Sequence, residues 1–231
     1  MGLTQSCPFK ETIISIEGNI GSGKSTLLAN LQKHFSNQKI IFLKEPVDDW
    51  ESIKDENNVT ILEKFYQDQE KYSFSFQMMA YISRLAKLKE AVKNNPGAII
   101  ITERSLYTDK MVFAKMLFDN GKIELVNYKI YLQWFDHFVT DFPVHKVIYV
   151  NTNPNLCAFR IKLRSRTGEQ SIPLDYLISC DEYHNEMLNV NNKNCVCRKQ
   201  LILNGNIDLF EDKLILKKWI LEVDKFIHDR I

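Results

Sequence analysis

Gly18 to Ser25 reads GNIGSGKS and fills every position of the phosphate-binding pattern G-x-x-x-x-G-K-[ST]. Before it, Ile13, Ile14 and Ile16 make an apolar run of strand length, and after it Thr26 to Phe35 (TLLANLQKHF) carries helical spacing. A strand before and a helix after separate a phosphate cradle from a chance Gly-Ser turn. Gly18, Gly21 and Gly23 let the chain turn tightly, so that the backbone N–H groups of the loop, through Asn19, Ile20 and Ser22, face phosphate oxygens. Lys24 reaches the outer phosphates, the Ser25 hydroxyl suits magnesium, and Thr26 opens a helix whose positive N-terminus faces the same anion. The expected ligand is a nucleoside triphosphate with Mg2+.

Working outward, short β-rich runs alternate with helical patterns. The strands are expected at Ile13 to Ile16, Ile40 to Leu43, Ala98 to Thr102, Lys146 to Asn151 and Leu201 to Asn204. Helices are expected from about Lys71 to Asn94, near Leu106 to Phe118, Val126 to Phe142, from Pro154 into an arginine-rich stretch, from Pro173 towards Val190, and over the tail from Asn206 to Ile231. The pattern predicts an α/β fold: a five-stranded parallel sheet flanked by helices, as one domain over 1–231, since no Pro/Gly/Ser-rich linker divides it.

Lys and Arg number 30 against 29 Asp and Glu, a net charge of +1 with no basic block. That argues against a long nucleic-acid footprint and for small anions held by local arginines. The longest apolar runs are of strand length, so no membrane span is expected. The five cysteines, irregularly spaced, suit free thiols in a reducing compartment, and cytoplasm is the default. Cys195 and Cys197 form a lone C-x-C without the second half of a zinc site, and the opening MGLTQS fits a short acylation pattern at Gly2, with Cys7 nearby.

In an open parallel sheet, ligands sit outside the carboxyl ends of the strands. The second strand runs into Glu45-Pro46 and the third into Glu103-Arg104-Ser105, which brings two carboxylates and an arginine beside the triphosphate. Phosphoryl transfer needs a proton acceptor, metal support and a cation for developing charge. Farther on, Arg160, Arg164 and Arg166 lead into a Gly-containing loop, a lid over about 160–172 that would close on phosphates and exclude water.

Together GNIGSGKS, EPVDDW (Glu45 to Trp50), SFSFQ (Ser73 to Gln77), ERSLYTD (Glu103 to Asp109) and RIKLRSRTGEQ followed by IPLDYL resemble the deoxynucleoside kinases, in that family's order and over about Ile13 to Glu186. The resemblance implies a P-loop kinase fold and transfer of the γ-phosphate of ATP to the 5′-hydroxyl of a deoxynucleoside. It implies Glu45 as general base, Arg104 as the arginine at the reacting 5′ end, and Ser25 and Glu103 as magnesium-supporting groups. Lys24, Arg160, Arg164 and Arg166 would surround the donor phosphates, and Tyr66 and Glu169 would hold the sugar 3′-hydroxyl. Gln77 would read the base edge between the aromatic walls Phe76, Phe113 and Trp50, with Phe65 shaping the pocket. Members are typically homodimers.

Arg84 lies seven residues after Gln77 on the same helical face, and Asp109 follows the Glu103-Arg104-Ser105 motif, so both can meet at the far end of the base. In the family this pair resembles the deoxycytidine and deoxypurine kinases; an ordinary structural ion pair is the other reading. A thymidylate-type monophosphate kinase shares the phosphate loop, the Glu-Pro step and the lid, but usually carries an Asp-Arg pair where this chain has Glu103-Arg104. A non-catalytic nucleotide-binding regulator would need no base at Glu45. The five histidines, His184 included, lack metal spacing and are given no catalytic role, while Trp134 and Phe138 share a face that serves the core or a subunit contact.

Overall fold

A computed structural model describes residues 11–36, 38–166, 168–207 and 213–229. The expected acylation site at Gly2 and Cys7, and the start of the expected tail helix at Asp208 to Phe210, lie outside these residues.

Five strands, β1 (Thr12–Glu17), β2 (Ile40–Leu43), β3 (Ile99–Glu103), β4 (Lys146–Asn151) and β5 (Gln200–Asn204), form one parallel sheet in the order β2-β3-β1-β4-β5. In the central strand β1, Ile13 to Glu17 are all buried, as parallel strands covered on both faces require. On one face Ile14 and Ile16 pack with Leu27, Leu28 and Leu31 of α1 (Lys24–His34) and Trp219 and Val223 of α10 (Lys213–His228). On the other, Ile13 and Ile100 meet Tyr81 and Leu85 of α4 (Gln69–Asn94) and Tyr131 and Phe135 of α7 (Leu125–Val139).

The chain leaves β1 towards β2 on one side and leaves β3 towards β4 on the other, so a crevice opens outside the carboxyl ends of β1 and β3. The helices α8 (Pro154–Arg164) and α9 (Leu174–Leu188) close one side of it. The lid residues between them include a short 3-10 turn, Glu169–Ser171.

Three features depart from the sequence expectation. Two short helices, α2 (Val47–Glu51) and α3 (Ile61–Gln67), occupy a stretch with no assigned element. The signal for α3 was present: Thr60 and Glu63 form a reciprocal capping box, with Glu63 N–H donating to Thr60 Oγ1 at 3.1 Å and Thr60 N–H to Glu63 Oε2 at 2.8 Å. The single helix expected near Leu106 to Phe118 is instead α5 (Leu106–Thr108), a π-helical turn Asp109–Ala114, and α6 (Lys115–Asp119). Among the described residues the tail helix covers Lys213–His228 of the expected 206–231 span, with 206, 207 and 229 outside it.

Candidate active site

The loop after β1 is shaped by close approach. A Cβ on Gly18 would lie 2.6 Å from Val150 O, and one on Gly21 only 2.7 Å from Cys157 O, with φ of +142° and +78°. Side chains other than hydrogen are excluded there on both counts. Asn19 and Ser22 face inwards, Asn19 Nδ2 donating to Leu177 O at 2.7 Å. Lys24 Nζ folds back to donate to Asn19 O at 2.7 Å. Burial, reinforced by the charge of Arg104, lowers its ammonium to about 8 although Glu103 and Glu45 pull the other way. Ser25 Oγ donates to Glu103 Oε1 at 2.5 Å, joining the start of α1 to the end of β3.

Four charged side chains meet where β2 and β3 end. Arg84 of α4 donates through Nε to Asp109 Oδ2 at 2.9 Å, through Nη1 to Glu103 O at 2.7 Å and through Nη2 to Glu45 Oε1 at 3.1 Å. Arg104 Nη1 donates to Gly18 O at 2.8 Å, its Nε lies 3.2 Å from Glu45 Oε1 as an ion pair rather than an aligned hydrogen bond, and its guanidinium stands 4.9 Å over Phe113. Arg104 has φ +65°, a left-handed backbone that costs a non-glycine residue about 1–3 kcal/mol and is retained only where surroundings enforce it. Burial works to raise the Glu45 carboxyl, but Arg104, Arg84 and Lys24 together overcome it and hold it at about 2. Burial pushes Asp109 up to about 6 against the pull of Arg84.

Beyond this cluster the crevice becomes aromatic. Phe65 and Phe76 stack with centroids 4.5 Å apart and 13° between planes, and Trp50 meets Phe76 edge-on at 5.5 Å while its Nε1 donates to Ser83 Oγ at 2.9 Å. Gln77 is buried at their side, and its Oε1 has no hydrogen-bond partner. A buried amide oxygen left this way costs about 1–3 kcal/mol, which a bound donor would recover. At the lid, Arg164 and Arg166 both donate to Glu169, the second at 2.9 Å from Oε1. Burial and the nearby Glu169 keep the Tyr66 hydroxyl protonated, well above the usual phenol range.

One cavity of about 760 Å³ runs from the loop to the aromatic pocket. It brings together Ile20, Gly21, Gly23, Lys24, Ser25 and Thr26 with Glu45, Glu103 and Arg104, with Trp50, Phe65, Tyr66, Phe76, Gln77, Arg84, Asp109 and Phe113, and with Arg160, Arg164, Arg166 and Glu169. Gly18, Asn19 and Ser22 do not border it; they are the packed frame of the loop. Arg160 borders it but donates to Gly205 O at 3.0 Å and Ile207 O at 2.8 Å, tying α8 to the turn after β5. Asn206 of that turn also reaches the cavity.

Sequence reasoning missed several members. Val47, Leu62, Ala80 and Tyr176 line the pocket, and Ala80 could have been found one turn beyond Gln77. Glu17 at the end of β1 is buried and accepts hydrogen bonds from Ser15 Oγ and, at 2.5 Å, from Thr108 Oγ1. His184 of α9, fully buried, touches Arg104: its Nε2 lies 3.3 Å from Arg104 Nη1. Residue spacing does not reveal this contact, since the arginine lies eighty positions away in sequence.

The sequence profile of the deoxynucleoside kinase family matches residues 14–228. A probable deoxycytidine kinase of fowlpox virus (strain NVSL) is 34% identical over 213 residues, covering 90% of this chain and 86% of the viral protein. Human deoxycytidine kinase is 33% identical over 195 residues, 76% of this chain and 74% of that protein. Human mitochondrial thymidine kinase 2 is 32% identical over 182 residues, 78% of this chain and 65% of that protein. With the profile matched over most of its length and one crevice holding its motifs, the chain belongs to the deoxynucleoside kinase family and is an enzyme of that class.

Proposed function

We propose that this kinase transfers the γ-phosphate of ATP to the 5′-hydroxyl of a deoxynucleoside, with deoxycytidine or a deoxypurine preferred over thymidine. The observation that carries this reading is the position of Glu45, at the junction of the phosphate-loop and aromatic parts of one cavity. A hydroxyl entering from the aromatic side would meet the Glu45 carboxylate, ionised at neutral pH, with Arg104 beside it. Glu45 accepts the proton and Arg104 steadies the charge on the reacting oxygens as the phosphoryl group passes in line. Lys24, Arg160, Arg164 and Arg166 hold the donor phosphates, while Tyr66 and Glu169 hold the sugar. Glu169 would then exchange its two arginine partners for the 3′-hydroxyl, so filling one half of the cavity would release arginines to the other.

Ser25 Oγ and Glu103 Oε1 converge beside Lys24 as hard oxygen donors, a set that fits Mg2+ completed by phosphate oxygens. When bound, the ion would neutralise charge on the donor phosphates.

The relatives' names include both deoxycytidine and thymidine kinases, so the base preference rests on Arg84 and Asp109. An amino group on the base could donate to Asp109, which Arg84 holds in place, whereas a carbonyl there would face a carboxylate. Phosphate transfer from labelled ATP to deoxycytidine, deoxyadenosine, deoxyguanosine and thymidine, with thymidine monophosphate in parallel, tests this. Preference for thymidine would sink the base assignment, and activity on the monophosphate alone would sink the acceptor.

The chain acts as one domain and a homodimer in this reading. Leu125, Val126, Ile130 and Trp134 leave an apolar face of α7 exposed, and sedimentation of the protein against a Trp134→Glu variant tests that contact. Among the described residues no helix is long and apolar enough to cross a membrane, and Cys157, Cys180, Cys195 and Cys197 are free thiols, which fits the cytoplasm.

A further inference from the structure

Arg104 is a cation that the proposed reaction needs at full charge, in one place, throughout turnover. Its partners divide into two kinds. Glu45 is anionic and must turn to the acceptor hydroxyl; Gly18 O and His184 Nε2 are neutral and take no part in the proton transfer. A carboxylate holding Arg104 permanently would offset the charge meant for the reacting oxygens, whereas neutral acceptors fix the guanidinium and leave its charge uncompensated.

His184 is built to be such an acceptor. Its Nδ1 lies 2.6 Å from Cys180 O one turn back on α9, a carbonyl that can only accept, so the ring proton sits on Nδ1 and Nε2 presents a lone pair. The ring is fully buried and meets Phe113 edge-on at 6.3 Å, the same ring over which Arg104 lies. The charged groups that bear on it, Arg104 and Lys24, are both cations; together with burial they hold its imidazole well below the usual histidine range, hence neutral.

We propose that His184 is a positioning residue: its Nε2, aimed by the Nδ1–H bond to Cys180 O, keeps the Arg104 guanidinium on the reacting oxygens when Glu45 leaves it for the acceptor hydroxyl. The inference rests on the roles assigned above to Glu45 and Arg104.

Two measurements test it. In the unaltered protein with 15N-labelled histidine, NMR should find His184 as the Nδ1–H tautomer with Nε2 unprotonated; an Nε2–H tautomer or an imidazolium overturns the proposal and needs no variant to fold. In kinetics, His184→Asn keeps a donor near Cys180 O but loses the acceptor, while the longer His184→Gln can place its amide oxygen where Nε2 stood. His184→Asn should lower kcat roughly tenfold or more with little change in the KM for either substrate, as loss of a bond to a charged group acting in the transition state requires. His184→Gln should recover most of that loss. An active wild type beside a His184→Asn variant of equal kcat overturns the role of His184, as does an equal fall in both variants that tracks their loss of thermal stability. A wild type that phosphorylates no deoxynucleoside overturns the underlying reading instead.

Discussion

Arg84 and Glu45 are bonded to each other: Nη2 donates to Oε1 at 3.1 Å, while the same guanidinium holds Asp109 through Nε at 2.9 Å. The residue assigned to base choice is therefore also a support of the residue assigned as base. Selectivity and rate are coupled through one side chain.

An Arg84→Met, Asp109→Ala double variant should thus shift the substrate ranking towards thymidine and lose turnover on every substrate, because Glu45 loses its hydrogen-bonded cation and keeps Arg104 and Lys24 alone. Removing Arg84 alone leaves Asp109 buried without its partner, which costs about 3–5 kcal/mol. The double variant should accordingly unfold at higher denaturant than the Arg84→Met single variant. Substrate rankings with urea titrations check both points, and an unchanged ranking refutes the base assignment.

Glu45→Gln should lower kcat roughly 10²–10⁴-fold, the range of a lost general base. ATP affinity should hardly change, since Glu45 borders the loop only through Lys24. Calorimetric ATP titration and single-turnover rates separate the two, and full turnover would remove Glu45 from the base role.

Stability should fall with acid in a way traceable to His184. Its folded pKa lies well below 6.5, so below about pH 6.5 the unfolded chain takes up a proton that the folded chain refuses. The contribution is whole above 6.5 and is lost as pH falls, at up to about 1.4 kcal/mol per pH unit. Asp109 works in the opposite sense between about 6 and its ordinary 3.8, because the folded state holds its proton more tightly. The comparison of wild type with His184→Gln across pH 7 to 5 isolates the histidine: the variant should show the shallower loss.

Lys146 predicts a purely structural effect. Its buried Nζ donates to Phe226 O at 2.9 Å, Ile227 O at 2.8 Å and Asp229 O at 2.6 Å, gathering the carbonyls at the end of α10 beneath β4. Lys146→Met should cost roughly 2–4 kcal/mol by orphaning them, with kcat unaltered below the transition. Amide exchange would show α10 opening first.

The sheet was legible because the strands are short apolar runs, most of them rich in isoleucine or valine, next to a turn-forming or charged end, and a central parallel strand such as Ile13 to Ile16 carries isoleucine on both faces. The cavity was legible wherever chemistry follows a strand end, as at Glu45 and Glu103. What escaped was set by distance in sequence or by local hydrogen bonding: His184 acquires its meaning only when α9 meets Arg104, and α3 is too short to show a period. The break at Asp109 escaped because π and α turns carry nearly the same apolar spacing over so few residues.

That break makes part of the pocket a matter of chain length. Between Asp109 and Ala114 the helix holds more residues per turn than an α-helix does, while Asp109 and Phe113 both border the cavity. Deleting one residue there would let the segment relax to regular pitch while Met116 and Leu117 still face the interior, because the π turn already absorbs one extra residue; what would change is which side chains between Asp109 and Ala114 face the cavity. Substitution scanning would never reveal this. The pocket wall is specified as much by the number of residues between Asp109 and Ala114 as by any side chain among them.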